Sequence, residues 1–297
     1  MIVLIMGYVG VTVVVFEYLK NFSNKIKNEE KKKKIDLFTL WISDDGNLPE
    51  LQQISLKSML LTGHDVKLYV YDELDNVPEG IKLMDGNEIL SQSNIFKYKE
   101  GFNKGSYSGF ANRFRAKCLY DRGSAWFDCD IIALKNINEM NIVGPSISSQ
   151  RNPDGEIIPN NAFLKLNKGD KFLEYMLDYM DKVKDNVMHG DTGPHLLKSL
   201  MDTKYNSYSK YLANVNFIAS INYFDFMDFL EPSSIIVPRL KFNEIWGFHI
   251  WNTMFRHNEY VHEKSRNSLY HDLKEIILTS LTKEEYAKKI SSLFEIN

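Results

Sequence analysis

The most constraining feature of the sequence is a pair of carboxylates within residues 126–135, WFDCDIIALK. Asp128 and Asp130 follow bulky apolar residues and precede a second apolar run, which is typical of a buried strand that carries acids at its end. Mg²⁺ and Mn²⁺ prefer oxygen ligands, and proteins often hold these ions through one or two carboxylates together with substrate phosphates. The segment therefore predicts a Mn²⁺ or Mg²⁺ site, although a solvated acid pair at a strand end would give the same pattern.

A helix is predicted directly before the acids, where residues 108–130 read SGFANRFRAKCLYDRGSAWFDCD. Apolar residues recur in this segment at helical spacing, at Phe110, Phe114, Cys118 and Leu119. Gly123 then supplies a helix stop. We therefore expect a helix that leads straight into the strand with the carboxylates.

This segment resembles the core of the DxD-containing sugar-binding glycosyltransferases, which include α-1,4-galactosyl- and initiating α-1,6-mannosyltransferases. That core reads approximately FSDLFRYxLLYxxGGxYxDxD. The register matches without a gap at Phe110, Arg115, Leu119, Tyr120, Gly123, Asp128 and Asp130. The chain departs from the family pattern at Ala111-Asn112, which replaces Ser-Asp, and at Ser124, which replaces the second Gly. In the family that Asp is thought to contact the donor, so the resemblance implies a donor contact for Asn112.

Two later segments extend the resemblance. Residues 189–201, HGDTGPHLLKSLM, are similar to the family's Gly-Pro-x-Leu-Leu segment, and residues 246–252, WGFHIWN, are similar to its His-x-Trp-Asn element. The resemblance implies a single glycosyltransferase-A type α/β domain with a mostly parallel, Rossmann-like sheet. It also implies transfer of a hexose, with retention, from a UDP- or GDP-linked sugar to a glycan or glycolipid acceptor. In such a reaction the metal ion would offset charge on the leaving diphosphate.

The remaining candidates for the site come from these segments and from residues 159–166, PNNAFLKL. His249 is a candidate third metal ligand or phosphate contact, with a packed core histidine as the alternative. Arg115 would contact a phosphate or support the strand acids. Asp191 is the candidate catalytic carboxylate, and its alternative role is the N-cap of the helix that Pro194 opens. Asn161, with its neighbour Asn160, would contact sugar hydroxyls, against a role in a loop or turn.

A βαβ unit is predicted at the start of the globular part. Residues 36–42 form a strand, Pro49 opens a helix that ends at Gly63, and residues 66–70 alternate as a second strand. Ligands bind beyond the carboxyl ends of such strands. Trp41 and Asp72 are therefore candidate neighbours of the nucleotide, with a core residue and a plain turn acid as the respective alternatives.

The N-terminal segment differs in composition from the rest of the chain. Residues 1–16 carry no charge, and a lysine-rich run follows. We interpret residues 1–19 as a transmembrane anchor, short against the usual span of about 20 residues, and residues 20–34 as a basic linker before a catalytic domain at 35–297. The lysines place that domain on the cytoplasmic side of a membrane. An additional buried strand is the alternative for the apolar run.

Composition and missing motifs exclude other classes. The net charge of −3 gives no broad basic field, so nucleic acid is not an expected partner. No phosphate loop of the NTPase kind and no dinucleotide glycine fingerprint occurs. A phosphatase of the haloacid-dehalogenase kind is disfavoured because its acids follow the first strand. A catalytically degenerate glycan-binding or adaptor protein stays open, because Asn112 and Ser124 depart from the family pattern.

Overall fold

The computed structural model describes residues 35–140, 144–257 and 266–295. The predicted anchor at 1–19 and basic linker at 20–34 lie outside these ranges. Within the described ranges, no helix combines the length and the apolar character needed to cross a membrane.

Eight strands form two sheets in the described part of the chain. They are β1 (Asp36–Leu40), β2 (Asp65–Val70), β3 (Lys82–Asp85), β4 (Ser124–Phe127), β5 (Ile131–Ala133), β6 (Ser146–Arg151), β7 (Ile157–Leu166) and β8 (Gly247–His249). The main sheet has the order β3-β2-β1-β4-β7-β6, and β5 pairs with β8 in a separate antiparallel ribbon. Strands β3, β2, β1 and β4 are parallel, whereas β7 is antiparallel to β4 and to β6. The predicted α/β class and mostly parallel sheet are confirmed.

The helices pack on the faces and at one end of this sheet. They are α1 (Glu50–Leu61), α2 (Ser108–Arg122), α3 (Lys171–Val183), α4 (Pro194–Asp202), α5 (Ser233–Ile236), α6 (Asn252–His257), α7 (Leu269–Thr279) and α8 (Lys283–Phe294). Short 3₁₀ turns, among them Asn206–Tyr211 and Tyr223–Leu230, connect them. One core cluster lies under α2, α3 and α4, and another joins α1, α7 and α8 to the β5–β8 ribbon.

The predicted βαβ unit is confirmed, since β1, α1 and β2 follow in order and the two strands pair in parallel. The first strand ends at Leu40, two residues earlier than expected. Past this point Trp41 keeps one sheet-like bond, from its N–H to the Tyr69 carbonyl (3.1 Å), before the chain turns away. The loop that follows therefore starts at the carboxyl end of β1.

The helix before the acids is also confirmed as α2. Phe110, Phe114 and Leu119 are fully buried, and the helix ends at Gly123, whose φ of 70° lies in the left-handed region. Ser124 has φ 77°, a conformation that costs a residue with a side chain more than it costs glycine. Its hydroxyl donates to the carbonyl of Asp36 (2.9 Å), a bond that glycine could not make and that offsets part of this cost.

The β5–β8 ribbon is held by hydrogen bonds from two helices. The Ser55 hydroxyl of α1 donates to the Ile131 carbonyl (2.5 Å), and the Tyr286 hydroxyl of α8 donates to the Ala133 carbonyl (2.6 Å). Both bonds are buried, where an unsatisfied carbonyl would cost about 1–3 kcal/mol. The ribbon begins one residue after Asp130, so these bonds hold the strand that leaves the acid pair.

We predict that Gly123→Ala destabilises the protein more than Gly155→Ala. Both glycines have positive φ, but a Cβ at Gly123 would lie 2.8 Å from the backbone nitrogen of Lys168, whereas nothing lies within 4 Å of one at Gly155. The control reports the conformational cost alone, about 1 kcal/mol, and Gly123→Ala adds a backbone clash. Urea unfolding should give a loss at least twice that of the control. Equal losses would mean that the α2–β4 junction relaxes freely.

Candidate metal-binding site

The site lies where the strand order of the parallel sheet reverses. The chain goes from β1 to β2 on one side, whereas β4 adds to the other side of β1. The crevice between the carboxyl ends of two such strands is the usual ligand site of an open α/β sheet. The loop after Leu40 and the acid pair after Phe127 therefore share one end of the sheet.

A tight turn carries the acid pair. The Asp128 N–H donates to the Ala162 carbonyl of β7 (2.9 Å), and the Ile131 N–H donates back to the Asp128 carbonyl (3.2 Å). The Ile250 N–H donates to the Asp130 carbonyl (2.9 Å). The turn is thus bonded to the main sheet at its start and to the ribbon at its end. These bonds fix the backbone that carries both carboxylates.

Asp128 is held through one of its two oxygens. Its Oδ1 accepts from Nη2 of Arg115 (2.5 Å) and from Nε1 of Trp126 (2.7 Å). Burial raises the pKa of Asp128 above its ordinary value, Arg115 opposes this rise, and the charge of Asp130 adds to it. Because both donors converge on Oδ1, Oδ2 is the oxygen available to a cation.

Asp130 is held from the opposite side. Its Oδ2 accepts from the N–H of Asn252 (3.1 Å), and its Oδ1 lies 3.4 Å from Nε2 of His249. Burial works to raise the pKa of Asp130, but His249 and the Asn252 N–H outweigh it, so the pKa is lowered. Asp130 therefore carries the negative charge more readily than Asp128.

His249 reaches the acids because of strand pairing. It lies opposite Ile131 in the β5–β8 ribbon, and its ring lies 3.8 Å from that of Trp251, centroid to centroid. The residue is 9% exposed, as a packed core histidine would be, but its Nε2 faces a carboxylate. The burial is that of a packed core histidine, and the position of Nε2 also suits a metal ligand, so both alternatives stay open.

The three side chains fit a divalent ion. One ligand atom each from Asp128, Asp130 and His249 lies within 4.8 Å of the others. Ligand atoms about 2.1 Å from one ion in an octahedron are about 3 to 4.2 Å apart, which this separation admits. The two carboxylates suit Mn²⁺ and Mg²⁺, and the imidazole favours Mn²⁺, because Mg²⁺ is a hard ion that prefers oxygen ligands.

A polar network extends from Asp128 along α2. Arg115 is 4% exposed, and its Nη1 donates to Oδ1 of Asn112 (3.3 Å). The same oxygen accepts from Nδ2 of Asn161 (2.8 Å), and Nδ2 of Asn112 donates to the Thr192 hydroxyl (3.2 Å). The structure thus places Arg115 as a support for Asp128, and brings Asn112 and Asn161 together with Thr192 beside the acids.

Asp191 lies next to this network, but it is not a helix cap. Helix α4 is capped by Gly193 without a side-chain bond, so the N-cap alternative is wrong. The Asp191 carboxylate instead accepts from the N–H of Met188 (2.7 Å), within its own turn. Its side chain is 40% exposed, and its other oxygen, Oδ1, lies 3.9 Å from Nδ1 of His195.

The two asparagines of β7 have different surroundings. Both lie inside the strand, so the loop or turn alternative is wrong. Asn160 donates to Gln150 (2.5 Å) and accepts from the N–H of Ala162 (2.6 Å), which commits its amide to the sheet. Asn161 points to the opposite face, toward Asn112.

The two candidate neighbours of the nucleotide, Trp41 and Asp72, are half-buried and exposed, respectively. Trp41 is half-buried against the core cluster that includes Phe127 and Cys129, and its Nε1 is buried without a bond from the described residues. Asp72 is exposed in the bend after β2. A cavity of about 640 Å³ lies elsewhere, lined by residues such as Phe242 and Phe294.

Sequence reasoning missed several residues that build the site. Trp126 and Asn252 each donate a hydrogen bond to an acid, and Thr192 completes the network at Asn112. Trp251 has φ 58°, an unfavourable conformation for a bulky side chain that turns the next N–H toward Asp130. The Trp-Asn pair of the closing motif was the available signal for Trp251 and Asn252.

Comparison with known proteins gives similar solved structures only. No protein-family model and no curated protein matches the chain. The chain is similar to the glycosyltransferase GlyE of Streptococcus pneumoniae TIGR4 in its apo form, with 14% identity over 88% of this chain and 63% of that one, at a TM-score of 0.48. It is also similar to the PaToxG glycosyltransferase, with 11% identity over 88% and 98% and a TM-score of 0.41.

A third similar structure is the galactosyltransferase LgtC, solved with donor and acceptor sugar analogues. Its identity is 12% over 89% of this chain and 98% of that one, with a TM-score of 0.41. At these identities and TM-scores the likeness assigns no residue roles to this chain.

We predict that Asp128→Asn and Asp130→Asn each weaken Mn²⁺ binding at least about 100-fold, because each removes a charged ligand, a larger loss than that of a supporting residue. Titration of the full chain with Mn²⁺, followed by calorimetry, measures this. Asp72→Asn is the matched control and should bind like the unaltered protein. Affinity should also rise with pH, because the ligands bind deprotonated. Unchanged Mn²⁺ affinity in both variants would place any metal elsewhere.

Proposed function

We propose that this protein is a metal-dependent glycosyltransferase of the glycosyltransferase-A type, which moves a hexose from a nucleoside-diphosphate sugar to a glycan or glycolipid. The observation that carries this proposal is the convergence of Asp128, Asp130 and His249 at the reversal point of a mostly parallel sheet. A donor diphosphate supplies the oxygen ligands that a site with three protein ligands leaves open.

The chemistry of the proposed site is electrostatic. A Mn²⁺ or Mg²⁺ ion, when bound, offsets the charge that develops on the leaving diphosphate. The residues around the two carboxylates fix the position at which that charge is offset. Arg115 and Trp126 hold Asp128, and the N–H of Asn252 holds Asp130, so neither carboxylate has to reorient during the reaction.

The donor would lie along the same end of the sheet. The loop that starts at Trp41 offers a surface for the nucleotide, in keeping with the position of ligands beyond parallel strands. The amides of Asn112 and Asn161 and the hydroxyl of Thr192 provide donors and acceptors for sugar hydroxyls. UDP- and GDP-linked hexoses are both compatible with these groups.

Retention of configuration is part of the proposal, with Asp191 as the carboxylate beside the reacting carbon. Its partial exposure and its place next to Thr192 support this assignment. A retaining reaction needs either a carboxylate nucleophile or attack by the acceptor hydroxyl from the same face. Asp191 would serve the first route directly and would stabilise developing positive charge in the second.

We predict that the full chain with Mn²⁺ slowly hydrolyses one nucleotide sugar in a panel of UDP- and GDP-linked donors. Asp128→Ala and Asp130→Ala should each lower the rate by about 10²–10³-fold, the cost of losing a main electrostatic contact. Release of the nucleoside diphosphate measures this, with Asp178→Ala, on the exposed face of α3, as the control. Binding of glycan without turnover of any donor would instead favour a degenerate, glycan-binding role.

We also propose that residues 1–19 anchor the enzyme in a membrane, with the catalytic part on the cytoplasmic side. The uncharged run at 1–16 and the lysines after it support this, because positive residues flank the cytoplasmic ends of spanning helices. We expect the full chain to stay in the membrane pellet after carbonate extraction, whereas a variant lacking residues 1–34 should be released. Release of the full chain would exclude a spanning anchor.

A further inference from the structure

A buried amide outside the metal cluster connects three segments that border the site. Asn103 is 2% exposed, and its Nδ2 donates to Nδ1 of His189 (3.1 Å) and to the Ser108 hydroxyl (3.4 Å). Its Oδ1 accepts from Nε2 of His257 (3.3 Å). The ring of Phe102 stacks on that of His257, with centroids 3.8 Å apart. One side chain thus satisfies three partners, and two of them, His189 and His257, lie far away in the sequence.

Each partner belongs to an element that carries part of the site. Ser108 begins α2, which carries Asn112 and Arg115. His189 lies in the turn that Asp191 closes through its bond to Met188.

His257 ends α6, and the first residue of that helix, Asn252, donates to Asp130. Through Asn103, then, the start of α2, the turn at 188–191 and the end of α6 are linked to one another. We call these three elements the site walls.

The amide imposes a condition on the two histidines. A carboxamide offers an oxygen to one neighbour and an NH₂ group to the other. The ring that faces the NH₂ group must accept, so it cannot carry a proton on that nitrogen. Exchanging the amide's oxygen and nitrogen only exchanges which histidine is so restricted. With both histidines doubly protonated, one N–H would point at the NH₂ group and the link would break.

We propose that Asn103 is a positioning residue that holds the site walls together, and that it does so only while at least one of His189 and His257 is uncharged. The donor site then loses its geometry in acid through a group that touches neither metal nor substrate. The use of this geometry for sugar transfer rests on the proposed function, but the link itself does not.

The surroundings of His189 favour its uncharged form, as the proposal requires. Much of His189 is exposed, but its Nδ1 lies against the buried amide, and this burial lowers its pKa, with His195 and His257 adding to the effect and Asp191 opposing it. The Tyr98 ring, which is also titratable, lies against it at 6.2 Å between centroids. A lowered pKa means that the stabilisation is complete above pH about 6.5, the ordinary value, and is lost as the pH falls below it.

Nitrogen-15 histidine spectra of the full chain test the link without any assay of activity. His189→Gln and His257→Gln identify the two signals. We expect both rings to carry their neutral-state proton on Nε2 at pH 7.5, because Nδ1 of His189 accepts and Nε2 of His257 donates. The mixture of tautomers shown by a free imidazole, at both rings, would overturn the proposal.

Asn103→Asp separates positioning from simple packing. A carboxylate of the same shape accepts from both histidines when they are charged, so the titration midpoint of His189 should rise by about one pH unit or more. In this variant the fall in melting temperature on acidification should then occur at a lower pH. The fall in the rate of donor hydrolysis should shift in the same direction. Asn206→Asp, on an exposed turn, is the matched control and should leave the midpoint unchanged. An unchanged midpoint in Asn103→Asp would overturn the proposal.

Asn103→Leu removes every bond and should lower kcat/KM at neutral pH, while Asn103→Asp keeps most of it. If no donor is turned over but the tautomers and the midpoint behave as expected, the proposed function fails and the link stands. If a donor is turned over while His189 titrates as a free imidazole, the link fails and the function stands.

Discussion

The ion pair between Arg115 and Asp128 is the interaction on which the arrangement of the site depends. A guanidinium that is 4% exposed has lost most of its hydration, and only a close anion compensates for that loss. The pair therefore fixes α2 against the end of β4. The Trp126 indole, which also lies 5.2 Å from the Arg115 guanidinium, completes the enclosure. Asp128 is thus tied directly to the helix beside the sheet, whereas Asp130 is held by Asn252 and His249, at the end of the ribbon.

The sequence predicted the local half of this arrangement. Helix α2, the stop at Gly123, strand β4 and the acids lie within one continuous segment, so periodicity and a single glycine were sufficient to predict their order. The βαβ unit followed in the same way. His249 was identified only through the resemblance of its short motif to a family pattern.

The distant half could not be predicted from the sequence, for a physical reason. The bond from Asn252 to Asp130 joins residues 122 positions apart, and the bond from His257 to Asn103 spans 154. Such contacts arise from the packing of the ribbon and α6 against the sheet, which no local pattern encodes. Asp191 illustrates the same limit, because its position before Pro194 suggested a helix cap and the chain placed the cap two residues later, at Gly193.

The hydroxyl of Tyr286 on the carbonyl of Ala133 has a further consequence for how the molecule is made. Its partners lie 153 residues apart, and Tyr286 belongs to the last helix of the described chain. During synthesis the main sheet can assemble once β7 has left the ribosome. The ribbon must then wait for His249 and for α8, so the acid pair acquires its final geometry only after α8 has been synthesised. A nascent chain with a finished sheet would still lack the ribbon that brings His249 beside Asp130.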